Sequence, residues 1–176
     1  RRPVDGRPPH VGVLLENVPE YSFWLAAAAL GRFVLVGLNP TRSPQDLAED
    51  VRATNCDLVL TDRPHLLGEV DVDVIDPHTI TFEPAPLPDD EARPEDLYLL
   101  IFTSGTTGAA KAVKCSQGKI AMLGIGLTMV VDLTEKDTTY LSMPLFHSNA
   151  VIANWAPAMA VGATIGLKRR FSSSSF

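Results

Sequence analysis

Near the middle of the chain, an apolar run gives way to hydroxyl-bearing residues and glycines and then to a lysine. Residues 99–113 read Leu-Leu-Ile-Phe-Thr-Ser-Gly-Thr-Thr-Gly-Ala-Ala-Lys-Ala-Val. The apolar run from Tyr98 to Phe102 predicts a strand that is covered on both faces in an α/β sheet. Ligands of such sheets collect at the carboxyl ends of the strands. The pattern therefore predicts an α/β fold with a binding loop directly after this strand.

The residues that follow the predicted strand suit a phosphate group. They offer four hydroxyl groups, two glycines that let backbone N–H groups approach an anion, and a lysine with a mobile positive charge. The candidate phosphate-binding residues are Thr103, Ser104, Gly105, Thr106, Thr107, Gly108 and Lys111. This composition predicts a phosphate-binding loop.

Two other interpretations of the loop are a Walker A loop and an ordinary surface turn. A Walker A loop has the pattern G-x-x-x-x-G-K-[ST]. Here only two residues separate Gly105 from Gly108, and Ala112 follows Lys111, so the spacing excludes that class of nucleotide-binding protein. An ordinary surface turn of Ser, Thr and Gly stays open as the alternative. The position of the loop after an apolar strand favours binding over a generic turn.

The segment from Thr103 to Lys111 resembles the signature loop of the acyl-adenylate-forming superfamily, which includes acyl-CoA synthetases, luciferases and the adenylation domains of peptide synthetases. In the usual pattern, Pro precedes the lysine, Gly follows it, and His often stands a few residues further on. This chain has Ala110, Ala112 and Gln117 at those positions. The departures leave the hydroxyls, the glycines and the lysine in place.

Segments outside the loop resemble the same enzymes. Ser142-Met-Pro-Leu-Phe-His-Ser-Asn-Ala150 is similar to their Pro-Leu-Phe-His segment, which implies that His147, Ser148 and Asn149 line the pocket for the acid. Residues 11–21 and 37–41 resemble two opening motifs of acyl-CoA synthetases. Residues 170–176 resemble a segment of fatty acyl-CoA synthetases and fatty-acid transport proteins. The fatty-acid branch is therefore favoured.

The resemblance implies that residues 1–176 form an incomplete N-terminal AMP-binding domain of alternating strands and helices. Enzymes of this superfamily are much longer than this chain. The rest of that domain, with its adenine and ribose segments, and the small C-terminal domain would be absent. We therefore expect the isolated chain to be inactive.

The resemblance also implies a reaction, in which ATP activates a carboxylic acid, here a fatty acid, to an acyl-adenylate that CoA converts to acyl-CoA. Lys111 would be the catalytic cation that offsets charge on the departing pyrophosphate. Thr103 or Thr106 would be a ligand of Mg²⁺. Two alternatives stay open: an adenylating enzyme with an acceptor other than CoA, and a truncated, non-catalytic anion-binding domain.

Composition narrows the range of partners and compartments. The net charge of −6 argues against nucleic acid as a partner. Cys56 and Cys115 show no metal-binding or disulfide spacing, which favours packing roles and a cytoplasmic location. The stretch from Ser148 to Leu167 lacks charged residues and is long enough for a bilayer, but its Asn, Pro and Gly residues favour a helix and a buried strand. Peripheral contact with a membrane stays open, although no feature indicates it.

Periodicity and capping signals predict the remaining elements. A helix begins at Pro19 and ends at Gly31, another follows a capping box at Ser43, and a third follows Ser116. The apolar face of the third helix is predicted to hold Ile120, Leu123, Leu127 and Val130. Further strands are predicted over residues 11–15, 34–38, 58–61, 112–115, 139–141 and 163–167. The proline-rich stretch 77–94 is predicted to be a connecting surface segment.

Overall fold

The computed structural model describes residues 6–83, 86, 92–103 and 111–174, and of Thr103 it describes the backbone alone. Within these ranges the main element is a six-stranded sheet with the strand order β4-β3-β1-β2-β5-β6. Its first five strands in the sequence are parallel, and β6 is antiparallel to β5. The strands are β1 (His10–Leu14), β2 (Val34–Gly37), β3 (Leu58–Thr61), β4 (Asp73–Ile75), β5 (Leu97–Thr103) and β6 (Lys111–Ser116).

Helices cover the sheet on both faces. Helix α1 (Pro19–Gly31) connects β1 to β2 in one direction, and α2 (Pro44–Ala53) connects β2 to β3 in the other direction. Because β-α-β crossovers are right-handed, two crossovers that move in opposite directions across the sheet place their helices on opposite faces. The buried residues form two apolar clusters accordingly. Leu25 packs with Val13 and Leu99 in one cluster, and Leu47 packs with Leu14 and Leu100 in the other.

The predicted starts of the three helices are confirmed. Helix α1 begins at Pro19, whose missing N–H costs nothing at this position. The Ser43 hydroxyl accepts a hydrogen bond from the backbone N–H of Asp46 at 3.2 Å. The Ser116 hydroxyl accepts one from the backbone N–H of Lys119 at 3.3 Å, at the start of α3 (Gln117–Val131). Each hydroxyl satisfies an N–H group that has no partner within its own helix.

The predicted buried face of α3 is wrong in part. Ile120 is buried as predicted, but Val130 is 78% exposed, and Leu123 and Leu127 are only half-buried. The helix is apolar around most of its circumference, so hydrophobicity does not select a face. The contact instead follows Gly124, where the lack of a side chain lets the backbone of Ala156 approach closely.

Alanine substitutions at two glycines of α3 are expected to have opposite effects on the free energy of unfolding. A Cβ at Gly124 would lie 3.0 Å from the Cβ of Ala156, so Gly124→Ala is expected to cost about 1 kcal/mol through overpacking, net of its gain in helix propensity. A Cβ at Gly126 meets no atom within 4 Å among the described residues. Gly126→Ala should therefore stabilise the chain by about 0.5–1 kcal/mol. Urea unfolding of both variants measures the difference, and equal effects would contradict the close packing.

The second sheet consists of two parallel strands, β7 (Thr138–Leu141) and β8 (Thr164–Leu167). The predicted helix between them is present as α4 (Ser148–Ala150), a π-helical turn (Val151–Trp155) and α5 (Ala156–Val161). The prediction that residues 163–167 form a buried strand is wrong as to burial, because β8 is at most half-buried and, among the described strands, pairs with β7 alone. No helix among the described residues is long and apolar enough to cross a membrane.

The other predicted strands agree with the observed ones to within a residue at each end. The stretch 77–94 is irregular where it is described, apart from a short 3₁₀ turn at Pro77–Thr79. Strand β4 was not predicted, because it has only three residues and two of them are exposed. Cys56 and Cys115 are both buried, as their predicted packing roles require, and burial raises the pKa of each thiol, that of Cys56 to about 11.

Candidate active site

The predicted phosphate-binding loop joins two paired strands at the carboxyl end of β5. In the antiparallel register, Thr103 lies opposite Lys111, and Phe102 lies opposite Ala112. The loop is therefore closed at its base by a β-ladder, and Lys111 stands exposed where the second strand begins. Five of the predicted phosphate-binding residues lie outside the described residues: Ser104, Gly105, Thr106, Thr107 and Gly108.

The second predicted segment, which contains His147, lies at the same edge of the sheet. A Cβ at Gly37, the last residue of β2, would lie 3.2 Å from the Cα and the carbonyl oxygen of Phe146. Gly37 pairs with Ile101 of β5, two residues before Thr103. The glycine thus permits the backbone of the second segment to rest on the strand end beside the start of the loop.

The three predicted acid-pocket residues differ in exposure. His147 and Asn149 are exposed, and Ser148 is half-buried. The backbone N–H of His147 donates to the carbonyl oxygen of Pro144 at 2.9 Å, and its ring lies 4.5 Å from that of Phe146 between centroids. The backbone of His147 is therefore restrained by this hydrogen bond, while its imidazole ring is exposed to solvent.

A cleft of about 1290 Å³ runs along the α2 side of β5 and β6. Phe102, Lys111 and Lys114 are among its lining residues, whereas His147, Ser148 and Asn149 are not. The buried part of the His147 segment, Leu145 and Phe146, packs in the cluster on the α1 side. The structure therefore brings Lys111 and His147 to one edge of the sheet, and of these two residues only Lys111 borders the cleft.

Two residues that the sequence analysis missed hold this edge together, Glu16 and Asn17. The Asn17 side chain is buried and accepts a hydrogen bond from the N–H of Leu145 at 2.8 Å. It also donates to the carbonyl oxygens of Met143 at 2.8 Å and Lys168 at 3.2 Å. Asn17 thus joins the end of β1 to both segments that border the second sheet.

Glu16 forms ion pairs with three arginines at the same edge of the sheet. Its carboxylate oxygens lie 2.8 Å from Arg63, 3.1 Å from Arg169 and 2.9 Å from Arg170. Hydrogen bonds from Arg63 and Arg170 lower the pKa of Glu16 from 4.5 to about 2, although burial acts in the opposite direction. These ion pairs connect the chain just after β1 with the chain after β3 and after β8, and they leave this edge with excess positive charge.

Neither of the two predicted magnesium ligands has its side chain among the described parts of the chain. Thr106 lies outside the described residues, and of Thr103 the backbone alone is described. In the described ranges, no three His, Cys, Asp or Glu side chains are grouped so that they could hold a metal ion. A hydroxyl ligand from the loop therefore stays a prediction.

This arrangement has the fold of an adenylate-forming enzyme. The chain superimposes over 96% of its length on 45% of an o-succinylbenzoate-CoA synthetase from Bacillus subtilis, solved in complex with its acyl-adenylate intermediate, with a TM-score of 0.82 and 25% identity. Residues 6–175 match the family model described as AMP-binding enzyme. The chain belongs to the AMP-binding enzyme family.

Within that family, two relatives are similar to nearly the whole of this chain. The chain is 45% identical to a medium/long-chain-fatty-acid--CoA ligase, FadD17, from Mycobacterium marinum, over 97% of the chain and 35% of that protein. It is 44% identical to a steroid-22-oyl-CoA synthetase from Rhodococcus jostii, over 96% of the chain and 33% of that protein. The chain thus spans about a third of the length of these relatives.

Proposed function

We propose that this chain, within a protein of its relatives' length, takes part in the ATP-dependent activation of a carboxylic acid to an acyl-adenylate and then to an acyl-CoA. The observation that carries the proposal is the meeting of two segments at one sheet edge. The hydroxyl-rich loop starts from the end of β5, and the Pro-Leu-Phe-His segment rests on Gly37 at the end of the neighbouring β2. Ligands of parallel sheets bind at such an edge.

The similarity to a fatty-acid--CoA ligase and a steroid-22-oyl-CoA synthetase supports an acid with a large apolar body and CoA as the acceptor. The acyl-adenylate held by the o-succinylbenzoate-CoA synthetase supports adenylation as the first step. In that step the acid carboxylate attacks the α-phosphate of ATP, and pyrophosphate leaves. CoA thiolate then attacks the acyl carbon, and AMP leaves.

The loop residues have an electrostatic role in this proposal. Hydroxyl and N–H groups of Thr103 to Gly108 hold the β- and γ-phosphates, and Lys111 is the catalytic cation that offsets charge on the departing pyrophosphate. Mg²⁺, bound with the help of Thr103 or Thr106, would neutralise phosphate charge. The β-ladder between Thr103 and Lys111 supports this role, because it fixes both ends of the loop.

The second segment has a positioning role. His147, Ser148 and Asn149 lie at the entrance of the acid pocket, where His147 orients the acid. A proton acceptor is not required, because a carboxylic acid is already ionised near neutral pH. The restrained backbone and exposed imidazole ring of His147 suit a side chain that contacts a bound molecule.

Pyrophosphate release in the full-length protein tests the proposal. We expect release that requires both ATP and a fatty or steroid side-chain acid, followed by acyl-CoA formation when CoA is added. His147→Ala is expected to raise the KM for the acid about fivefold and to leave the KM for ATP unchanged. His65→Ala is the matched control, since His65 is exposed in a short turn after β3. Pyrophosphate release without any dependence on an acid would contradict the proposal.

A further inference from the structure

Asn17 makes more contacts across the sheet edge than its place in the sequence suggests. Its side chain is 6% exposed and contacts three backbone groups that lie 126 to 151 residues away in the chain. Two of them, the Met143 carbonyl and the Leu145 N–H, flank Pro144. The third is the carbonyl of Lys168, directly after β8.

These contacts are linked to His147 through the backbone of residues 143–147. Pro144 has no N–H of its own, and Asn17 binds the polar backbone groups on either side of it, the Met143 carbonyl and the Leu145 N–H. The Pro144 carbonyl in turn accepts the hydrogen bond from the His147 N–H at 2.9 Å. The position of the His147 backbone is therefore set by the turn that Asn17 holds.

The chemistry of the side chain explains why asparagine stands here. A carboxamide donates two hydrogen bonds and accepts others at the same time, and its N–H groups face two carbonyls here while its oxygen faces an N–H. A carboxylate only accepts, and an aliphatic side chain of similar size does neither. Either replacement leaves at least one of these three backbone groups without its Asn17 partner.

We propose that Asn17 is a positioning residue of the acid site, which holds the His147 segment on the end of β2 and joins it to the end of β8. This inference rests on the proposed function, because it takes His147 as part of the acid pocket. Asn17 acts through the backbone of residues 143–147 and not through contact with the acid. Its loss should therefore affect acid binding more than ATP binding.

The test measures the KM for the acid and the KM for ATP separately in the full-length protein. For Asn17→Leu we expect the KM for the acid to rise about tenfold, with the KM for ATP within about twofold of the starting value. Asn17→Asp keeps an acceptor for the Leu145 N–H but places a carboxylate against the two carbonyls, and it is also expected to raise the KM for the acid. An acid KM within about twofold for both variants would overturn the proposal.

Thr54→Val is the matched control for a general loss of stability. Thr54 is also buried, and its hydroxyl donates to the Asp50 carbonyl at 2.6 Å, but it lies near the amino end of β1. We expect both KM values to stay unchanged in this variant. An equal rise in the acid KM for Thr54→Val and Asn17→Leu would show that lost stability alone is responsible, and would overturn the proposal.

His147→Ala separates this proposal from the proposed function. If His147→Ala raises the acid KM and the Asn17 variants do not, the positioning role fails and the acid pocket stands. If none of these variants changes the acid KM, the acid pocket itself is misplaced. Should Asn17→Leu fail to fold, amide hydrogen exchange of His147 in Asn17→Asp supplies the structural readout. Faster exchange there than in Thr54→Val supports the proposal, and unchanged exchange opposes it.

Discussion

Replacing Lys111 by alanine is expected to slow acid-dependent pyrophosphate release by about ten- to a hundredfold in the full-length protein. A charge-assisted hydrogen bond to a phosphate contributes about 1.5–3 kcal/mol, and its loss here would fall on the step in which pyrophosphate gains charge. Lys111 stands where the ladder with Thr103 closes the loop, so its backbone position should survive the substitution. The effect should therefore appear in the rate of adenylation more than in folding.

Lys114 provides a control on the same strand. It is exposed, lies opposite Leu100 in the register with β5, and lines the same cleft as Lys111. Lys114→Ala removes the same charge from the same cleft three residues further from the loop, and we expect the rate to stay within about twofold. Equal rates for Lys111→Ala and the unsubstituted protein would refute the catalytic role of Lys111.

Substituting Glu16 by glutamine is expected to lower the free energy of unfolding by about 2 kcal/mol at pH 7. The pKa of Glu16 lies near 2 in the folded chain, against 4.5 for an unperturbed glutamate. The full shift would correspond to about 3 kcal/mol, but Arg169 and Arg170 are largely exposed, so solvent screens part of it.

The pH dependence of this effect has a definite sign. Because the folded pKa is the lower one, the unfolded chain binds a proton more readily, and the stabilisation is fully present above pH 4.5. It is lost as the pH falls from 4.5 towards 2. The difference in free energy of unfolding between the original chain and Glu16→Gln should therefore shrink by more than half between pH 7 and about pH 3.

Urea unfolding at both pH values measures that difference. Glu135→Gln is the control, since Glu135 is exposed and its substitution should change stability little at either pH. A loss of stability in Glu16→Gln that is the same at pH 7 and pH 3 would show that its carboxylate charge is not what holds this sheet edge. The loss of one hydrogen-bond acceptor would then account for the effect.

The sequence predicted the central strands and helix starts well because their signals are local. A strand buried on both faces is continuously apolar, as β5 is, and a cap such as Ser43 contacts an N–H group three residues away. Strand β4 escaped prediction because its short segment carries exposed residues and is ordered by its ladder with β3. The buried face of α3 was misplaced because close packing at Gly124, not side-chain size, selected it.

In the candidate site, too, local patterns predicted some residues and missed others. The loop and the His147 segment carry recognisable residue types, so their functions were predicted from sequence, and the structure places the described parts of both at one edge. Glu16 and Asn17 were missed because their partners include residues more than 120 positions further along the chain. An Asn at a strand end is common in turns, and no local pattern shows that its amide is buried among distant carbonyls.

Titration of Mg-ATP into the isotope-labelled full-length protein, followed through the backbone amide signals of residues 104–111, tests the phosphate-binding role of the loop most directly. We expect these signals to shift together and to saturate with ATP, while the amide of Lys114 changes little. If the amide signals of Ser104 to Lys111 do not shift at saturating ATP, the loop does not bind the phosphates of ATP, even though the chain belongs to the AMP-binding enzyme family.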